Sequence, residues 1–338
     1  MQGIALYRKY RPKSFKDVAG QDHIVKVLEG AIELGNISHA YLFSGSRGTG
    51  KTSVARIVAT ELGTSANDLY EMDAASNRGI DDVRNIRESV YTLPFDSKYK
   101  VYIIDEAHML TKDAWNAFLK TLEEPPEHVI FILATTEHGK LPETVLSRCQ
   151  IFQFRKPSRA LLRDQAIVLA KKEGFTLLPH AADLIALLGD GSFRDSIGAL
   201  EKVLSFSKDK KISLAEVETA TGAPRSSLVH DFVKSLAMGE KDKALSVLQD
   251  VKKTGSDIKI FLKIVLEMLR IVLLLKLSPD IEKEIAGDLS DDELTDLRKL
   301  AKEGSNLTTD LLRSLLESYD AVGRAYDPAL PIELAILA

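Results

Sequence analysis

The 338-residue sequence is poor in cysteine, in tryptophan and in net charge. Its single cysteine, Cys149, excludes an internal disulfide framework and a zinc site made of cysteines alone. The 45 basic and 49 acidic residues leave a net charge of −4, so any contact with nucleic acid has to come from a local basic surface. A chain without cysteine pairs is typical of a reducing, intracellular compartment.

Long uncharged apolar runs are also missing. The most apolar stretch covers residues 260–277, and it contains Lys263, Glu267, Arg270 and Lys276. A membrane-spanning helix rarely holds so many charges in that length. The first residues, Met1–Leu6, lead into a basic segment and lack the pattern of a signal peptide. We therefore expect no membrane partner and a cytoplasmic location.

The sequence does contain a glycine-rich segment that fits the pattern G-x-x-x-x-G-K-[ST] at every fixed position. It reads Gly45-Ser46-Arg47-Gly48-Thr49-Gly50-Lys51-Thr52, between an apolar run at residues 40–43 and a helix-like segment at 53–59. This order of strand, loop and helix predicts a phosphate-binding loop whose backbone N–H groups surround an anion. Lys51 would reach the β- and γ-phosphates of ATP, and the Thr52 hydroxyl would hold Mg²⁺.

A second apolar run, residues 100–108, ends in Asp105-Glu106-Ala107-His108. An all-apolar strand suits a parallel sheet that is covered on both faces. In a P-loop enzyme, Asp105 would hold Mg²⁺ through water, and Glu106 would polarise the attacking water as general base. A solvated acidic pair in a loop is the alternative, and the upstream Lys51 favours the catalytic interpretation.

Two further segments allow more than one interpretation. Residues 129–136 form another apolar run that ends in hydroxyls, and Thr136 could orient water beside the γ-phosphate or simply cap the strand end. Residues 7–21 are basic and aromatic. They form either a solvated tail or a strap over the nucleotide base, with Val18 and Ala19 as apolar contacts.

The alternation of helices and apolar strands predicts an α/β domain with a parallel sheet over residues 1–155. From residue 157 the strand signals stop, and helical segments predict a helical lid domain over residues 156–221. In that domain Ser192–Asp195 resembles a capping box, which would place Arg194 at the N-terminal end of a helix. Residues 222–338 read as amphipathic helices throughout and predict an all-α domain. Its apolar stripes are Val229, Phe232, Val233 and Leu236, then Ala244, Val247, Leu248 and Val251, then Leu312, Leu315, Leu316, Tyr319 and Val322.

The order of these motifs, with Ser147-Arg148-Cys149 between the apolar run at residues 129–136 and the lid, resembles the AAA+ ATPases of the clamp-loader clade. Within that clade it is most similar to the gamma/tau family of bacterial DNA polymerase III. Three segments are nearly identical to the corresponding sequences of that family: Tyr7–Pro12, Asp73–Ser76 and Asn116–Pro126. The resemblance in motifs covers roughly residues 5–200, and the C-terminal third matches only in helical character and in a closing Pro-Ile-Glu-Leu segment.

The resemblance implies further roles for single residues. Thr136 would sense the γ-phosphate, and Arg148 would be an arginine finger that reaches the nucleotide of a neighbouring subunit. Arg194 would be a second sensor on the lid. From the residues alone, a surface salt bridge is the simpler interpretation of either arginine. Asn77 and Arg78, in a loop that opens a helix, are candidates for contacts with the DNA backbone.

The resemblance also implies partners: the delta and delta-prime subunits, further copies of this chain, a sliding clamp and primer–template DNA. The residues 222–338 would form the collar that holds the subunits together. A non-hydrolysing structural subunit is one alternative, but it would be expected to lose Lys51 or the acids. A branch-migration helicase of the same superfamily is another, and the Ser147–Cys149 motif and the third domain favour the clamp loader.

One departure from the family concerns zinc. The gamma/tau family carries a four-cysteine zinc module between the P-loop helix and the second strand, and here only residues 61–67 fill that gap. We therefore predict ATP and Mg²⁺ as cofactors and no zinc. The small clamp-loader subunits of archaea and eukaryotes also lack the module, but the short sequence motifs of this chain resemble those of the bacterial family.

Overall fold

A computed structural model describes residues 4–278, 291–304 and 306–337 of the chain. These residues divide into two compact units. The sheet unit contains Met1–Pro157 and Gly191–Asp195, and the helical unit contains Ser158–Asp190 and Ser196–Ala338. The predicted collar and most of the predicted lid fall together in the helical unit, whereas Gly191–Asp195 of the predicted lid belongs to the sheet unit. The separation of lid and collar at residue 221 stays a prediction.

The sheet unit is built on a five-stranded parallel sheet with the order β2-β3-β4-β1-β5. The strands are β1 (Ala40–Ser44), β2 (Leu69–Asp73), β3 (Lys100–Asp105), β4 (Val129–Thr135) and β5 (Gln150–Gln153). The three inner strands are buried almost throughout, whereas most residues of the edge strands β2 and β5 are exposed. The predicted α/β fold with a parallel sheet is confirmed.

Helices cover both faces of this sheet because its inner strands are apolar on both sides. On β4, Phe131 and Leu133 pack with helices α4 to α6, whereas Ile130 and Ile132 pack with α2 and α3. The helices of the sheet unit are α1 (Leu6–Lys9), α2 (Asp22–Glu33), α3 (Lys51–Glu61), α4 (Ile80–Val90), α5 (Lys112–Glu123) and α6 (Glu143–Leu146), with 3-10 turns at Phe15–Asp17, Ala107–Met109 and His138–Lys140.

The basic N-terminal segment is packed onto the sheet unit, so its interpretation as a solvated tail is wrong. Phe15 is buried in the core with α2 and α3. Gln21 is also buried, and its side chain bonds Arg155 reciprocally. Its Nε2 donates to the Arg155 carbonyl at 2.8 Å, and the Arg155 N–H donates to its Oε1 at 3.1 Å. This pair ties the segment to the residues that follow β5.

Strand β3 is shorter than the sequence predicts. It ends at Asp105, because Glu106 adopts the left-handed conformation with φ 48° and ψ 43°. This conformation breaks the alternation of side chains along the strand, and the chain continues in the 3-10 turn Ala107–Met109. The apolar run therefore predicted the strand but not the turn at its end.

The helical unit consists of α7 (Arg159–Lys172), α8 (Pro179–Gly189), α9 (Phe193–Phe206), α10 (Leu214–Thr221), α11 (Ser226–Met238), α12 (Lys241–Lys253), α13 (Ile258–Leu277), α14 (Asp291–Glu303), α15 (Thr309–Val322) and α16 (Leu330–Leu337). Helix α9 begins within the sheet unit and continues in the helical unit. A short parallel pair, β6 (Thr176–Leu177) and β7 (Lys211–Ile212), was not predicted. Strands of two residues are too short to show an alternating pattern.

The predicted apolar stripes form the core of the helical unit. Phe232 is fully buried and meets Phe261 edge-on, with ring centroids 5.0 Å apart. Leu316 is the exception, because 58% of it is exposed although its helical spacing placed it in the third stripe. The most apolar stretch forms α13, a core helix. Over the described residues, no helix is long and apolar enough to span a membrane.

Candidate active site

The glycine-rich loop connects β1 to α3 at the carboxyl edge of the sheet. Gly45 has φ 148° and Gly48 has φ 74°, both in the region that favours glycine. A Cβ at Gly45 would lie 2.7 Å from the Phe154 carbonyl oxygen, and one at Gly48 would lie 1.9 Å from Ser192 Oγ. Glycine is therefore required at both positions, by conformation and by space. The resulting turn precedes the N-terminus of α3, which is a general binding place for phosphate.

Lys51 is the first residue of α3 and is buried. Its Nζ donates to the carbonyl oxygens of Gly45, at 2.7 Å, and Ser46, at 2.9 Å. Burial lowers the pKa of Lys51, and the carboxylates of Glu106 and Asp105 act in the opposite direction. The ammonium group is therefore bonded to the loop backbone and interacts electrostatically with the carboxylates of Asp105 and Glu106.

The two residues predicted to hold Mg²⁺, Thr52 directly and Asp105 through water, lie in contact with each other. Thr52 Oγ1 donates to Asp105 Oδ2 at 2.7 Å, although the residues come from different elements. Hydroxyl and carboxylate oxygens are ligands that Mg²⁺ prefers, and this ion usually takes only one or two protein ligands beside water and phosphate. The pair therefore fits a magnesium ion bound together with a nucleotide. Over the described residues, no group of three or more His, Cys, Asp or Glu side chains is arranged to hold a metal.

Glu106 and Thr136 are also brought together. Thr136 follows β4, and its Oγ1 donates to Glu106 Oε2 at 3.1 Å. The left-handed backbone of Glu106 costs roughly 1–3 kcal/mol for a residue other than glycine, and such conformations are concentrated at functional sites. Here the turn directs the carboxylate toward the end of β4 instead of along the alternation of β3.

His108 is a neighbour of this pair to which sequence reasoning assigned no role. Its side chain is only 7% exposed. Its Nδ1 lies 3.0 Å from Thr135 Oγ1 and 3.5 Å from Glu106 Oε2, and its Nε2 lies 3.5 Å from Glu137 Oε1. The sequence feature that could have indicated a role for His108 is its position three residues after Asp105, at the end of the apolar run.

The start of α9 lies against the glycine-rich loop, and both belong to the sheet unit. The Phe193 N–H donates to the Gly48 carbonyl at 3.0 Å, and Ser192 Oγ accepts from the Asp195 N–H at 3.2 Å, as expected of a helix cap. The Arg194 guanidinium lies 5.0 Å from the centre of the Tyr7 ring. The structure therefore brings Arg194 to the loop side of the sheet unit.

Val18 and Ala19 follow the 3-10 turn Phe15–Asp17 and are half-buried. Val18 packs against the core cluster that contains Phe15. Their contact with a nucleotide base stays a prediction.

Arg148 lies after α6 and has an acidic partner in space, although none is near it in sequence. Its Nη2 donates to Glu123 Oε1 at 2.6 Å, and its Nη1 donates to the Thr144 carbonyl at 2.7 Å. The side chain is 33% exposed, so the guanidinium is at the surface. A surface salt bridge is thus present in this chain, and the role of an arginine finger stays a prediction.

Asn77 and Arg78 are exposed in the turn before α4. The Asn77 side chain donates to the Asp73 carbonyl at 3.2 Å. The first turn of α4 contains Asp81 and Asp82, and these carboxylates disfavour a phosphate at that helix N-terminus. The proposed DNA contact therefore rests on the sequence resemblance and stays a prediction.

Comparison with known proteins gives matches in both parts of the chain. The family model described as DNA polymerase III, delta subunit, matches residues 64–158. The one described as DNA polymerase III subunits gamma and tau domain III matches residues 212–338.

The curated relatives include the DNA polymerase III subunit tau of Bacillus subtilis (strain 168). It is 40% identical over 302 residues, which cover 82% of this chain and 53% of the relative. The tau subunit of Escherichia coli (strain K12) is 35% identical over 318 residues, which cover 88% of this chain and 49% of the relative. The chain thus spans about half the length of the curated relatives it matches.

Among solved structures, the RuvB Holliday junction branch migration motor of Thermotoga maritima has a TM-score of 0.54 at 23% identity. The match covers 67% of this chain and 79% of that chain, and it shows a shared fold. The parallel sheet, the glycine-rich loop and the acids at the end of β3 define the class of AAA+ P-loop ATPases. Within that class, the chain belongs to the gamma/tau family of bacterial DNA polymerase III.

Proposed function

We propose that this chain is an ATP-hydrolysing subunit of a bacterial clamp loader, which uses ATP to open a sliding clamp and place it on primed DNA. The observation that carries the proposal is the hydrogen bond between Thr52 and Asp105 beside the buried ammonium of Lys51. It joins the phosphate-binding loop to the acidic end of β3, as hydrolysis of a magnesium-bound nucleoside triphosphate requires.

In this proposal, the loop Gly45–Thr52 holds the phosphates of ATP through its N–H groups and through Lys51. Thr52 and Asp105 would hold Mg²⁺, which would neutralise charge on the phosphate oxygens. Glu106 accepts a proton from the water whose oxygen forms the new bond to the γ-phosphorus, while the bond from that phosphorus to the β–γ bridging oxygen breaks. Thr136 restrains the Glu106 carboxylate through the bond that joins them.

The remaining residues complete the nucleotide site from other directions. Val18 and Ala19 would contact the base, and Arg194 would approach the phosphates from the start of α9, which lies against Gly48. Arg148 would serve the nucleotide of a neighbouring subunit as an arginine finger. For that contact the guanidinium has to exchange Glu123 for phosphate oxygens, which is feasible for an exposed ion pair worth only about 1 kcal/mol or less.

The proposed partners are the delta and delta-prime subunits, further copies of this chain, the sliding clamp and primer–template DNA. The match of residues 212–338 to domain III of gamma and tau supports a collar that joins these subunits. Replication of the chromosome would place the complex in the cytoplasm. We propose no zinc, because α3 ends at Glu61 and β2 begins at Leu69, a short gap that holds no cysteine.

The test is ATP turnover by the complex assembled from this protein and its cognate partners. Primed DNA with the sliding clamp is compared with primed DNA alone, with the clamp alone, and with unprimed single-stranded DNA. We expect the clamp and the primer junction together to raise turnover above every other combination. If long DNA alone raises it and the clamp has no effect, the chain is part of a translocating motor instead.

A further inference from the structure

His108 lies in a polar cluster at the carboxyl edge of the sheet, formed by Glu106, His108, Thr135 and Glu137. Its side chain is 7% exposed, so little of the ring is in contact with solvent. Each of its nitrogens lies 3.5 Å from a carboxylate oxygen, Nδ1 from Glu106 and Nε2 from Glu137. A buried ring with polar neighbours at both nitrogens is fixed in orientation more tightly than packing alone requires.

The Nδ1 side of the ring faces the proposed catalytic base. Nδ1 lies 3.0 Å from Thr135 Oγ1, which also accepts the Glu137 N–H at 3.0 Å. On Glu106, the oxygen Oε2 accepts a hydrogen bond from Thr136 Oγ1 at 3.1 Å. The same oxygen lies 3.5 Å from His108 Nδ1, which is a close polar contact beside the hydrogen bond of Nδ1 with Thr135. Within the described part of the chain, Oε1 of Glu106 makes no hydrogen bond, so this oxygen remains available to accept a proton.

We infer that His108 is a positioning residue for hydrolysis, which acts through Glu106. Together with Thr136 it fixes Oε2, and thereby the plane of the carboxylate and the place of Oε1. A glutamate has several freely rotating side-chain bonds, and a general base works only within a narrow range of geometry. This inference rests on the proposed ATPase function, and it assigns a task to a residue outside the groups that touch nucleotide, metal or water.

Three substitutions separate the two sides of the ring. His108→Phe keeps a ring without nitrogens. His108→Asn places its amide where Nδ1 lies, whereas His108→Gln places its amide where Nε2 lies. His138→Asn is the matched control, because His138 is exposed in the nearby 3-10 turn. For each variant, kcat and KM for ATP are measured in the assembled complex with clamp and primed DNA.

We expect His108→Phe to lower kcat ~10-fold while KM for ATP changes less than ~2-fold, because a misplaced base affects the chemical step and not binding. His108→Asn should recover most of this loss, His108→Gln should not, and His138→Asn should match the wild type. In a Glu106→Gln background, His108→Phe should cause no further loss, because the residue through which it acts is already disabled.

Four results would overturn the inference: an unchanged kcat in His108→Phe, equal recovery by Gln and Asn, a rise in KM without a fall in kcat, or a full additional loss in the Glu106→Gln background. If His108→Phe does not fold, the difference between Asn and Gln decides alone. A wild-type complex without ATP turnover refutes the proposed function itself, whereas a wild type that hydrolyses ATP beside equally active His108 variants refutes only the positioning role.

Discussion

The most direct test of the fold concerns Asp68, which precedes β2 and is fully buried. Its carboxylate accepts the N–H groups of Phe95, Asp96 and Ser97 at 2.5, 2.8 and 2.9 Å, so one side chain holds the loop that leads into β3. Burial acts to raise the pKa of Asp68, but these hydrogen bonds and the Ser97 hydroxyl outweigh it and lower the pKa to about 2.

The perturbation is Asp68→Asn, which keeps the shape of the side chain but removes the charge. The amide can still accept with its oxygen, but its NH₂ group faces donors, so at least one buried N–H loses its acceptor. A lost hydrogen bond to a charged group together with an unpaired buried donor corresponds to ~2–3 kcal/mol of unfolding free energy. For a unit of this size, the unfolding midpoint should fall by ~5–10 °C.

The assay is urea unfolding at a series of pH values, followed by far-UV circular dichroism. The matched control is Asp96→Asn, since Asp96 is exposed in the same loop and its carboxylate accepts one bond, from Asn67, at 2.9 Å. We expect the control to lose less than ~1 kcal/mol. A comparable loss of unfolding free energy in both variants would show that any change of charge destabilises this loop, and it would refute a specific anchoring role of Asp68.

The pH dependence gives an independent check with a definite sign. The pKa of Asp68 is about 2 in the folded chain, below its ordinary value of 3.8, so the stabilisation is present above pH 4 and is lost as the pH falls toward 2. The difference in unfolding free energy between the wild type and Asp68→Asn should therefore be constant around neutral pH and should become smaller below pH 4. A difference under ~0.5 kcal/mol at pH 7, or one that does not narrow, refutes the anchoring role.

Two further predictions concern the site, and a third concerns the cysteine that follows Arg148. Glu106→Gln should bind ATP like the wild type but hydrolyse it ~10²-fold or more slowly, and unchanged turnover would remove Glu106 from the role of base. Arg148→Ala should leave nucleotide affinity intact and lower turnover of the assembled complex by ~10³-fold, whereas turnover that survives in the complex would exclude the finger. Burial raises the pKa of Cys149 to about 12, so alkylation by iodoacetamide at pH 8 should be slow in the native chain and fast in urea; equal rates would contradict the burial.

Local pattern predicted much of the fold because its elements are long and regular. The apolar runs at residues 40–43, 100–108 and 129–136 correspond to the inner strands β1, β3 and β4 to within a few residues. The periodicity of the sequence did not predict features that depend on tertiary contacts. Glu106 adopts a left-handed conformation that no propensity of glutamate indicates, and Leu316 has helical spacing but is 58% exposed. The pairing of Arg148 with Glu123 joins residues far apart in sequence, so no local pattern could reveal it.

The site depends on strand order, which the sequence alone does not give. In the order β2-β3-β4-β1-β5, strand β4 lies between β1, which carries the glycine-rich loop, and β3, which carries the acids. The hydroxyls at the end of β4 therefore lie between Lys51 and Glu106, and Thr136 can bond the proposed base. Thr52 reaches Asp105 across that strand only because it lies on the first turn of α3. If β1 instead of β4 lay next to β3, the hydroxyls of Thr135 and Thr136 would be out of reach of His108 and Glu106.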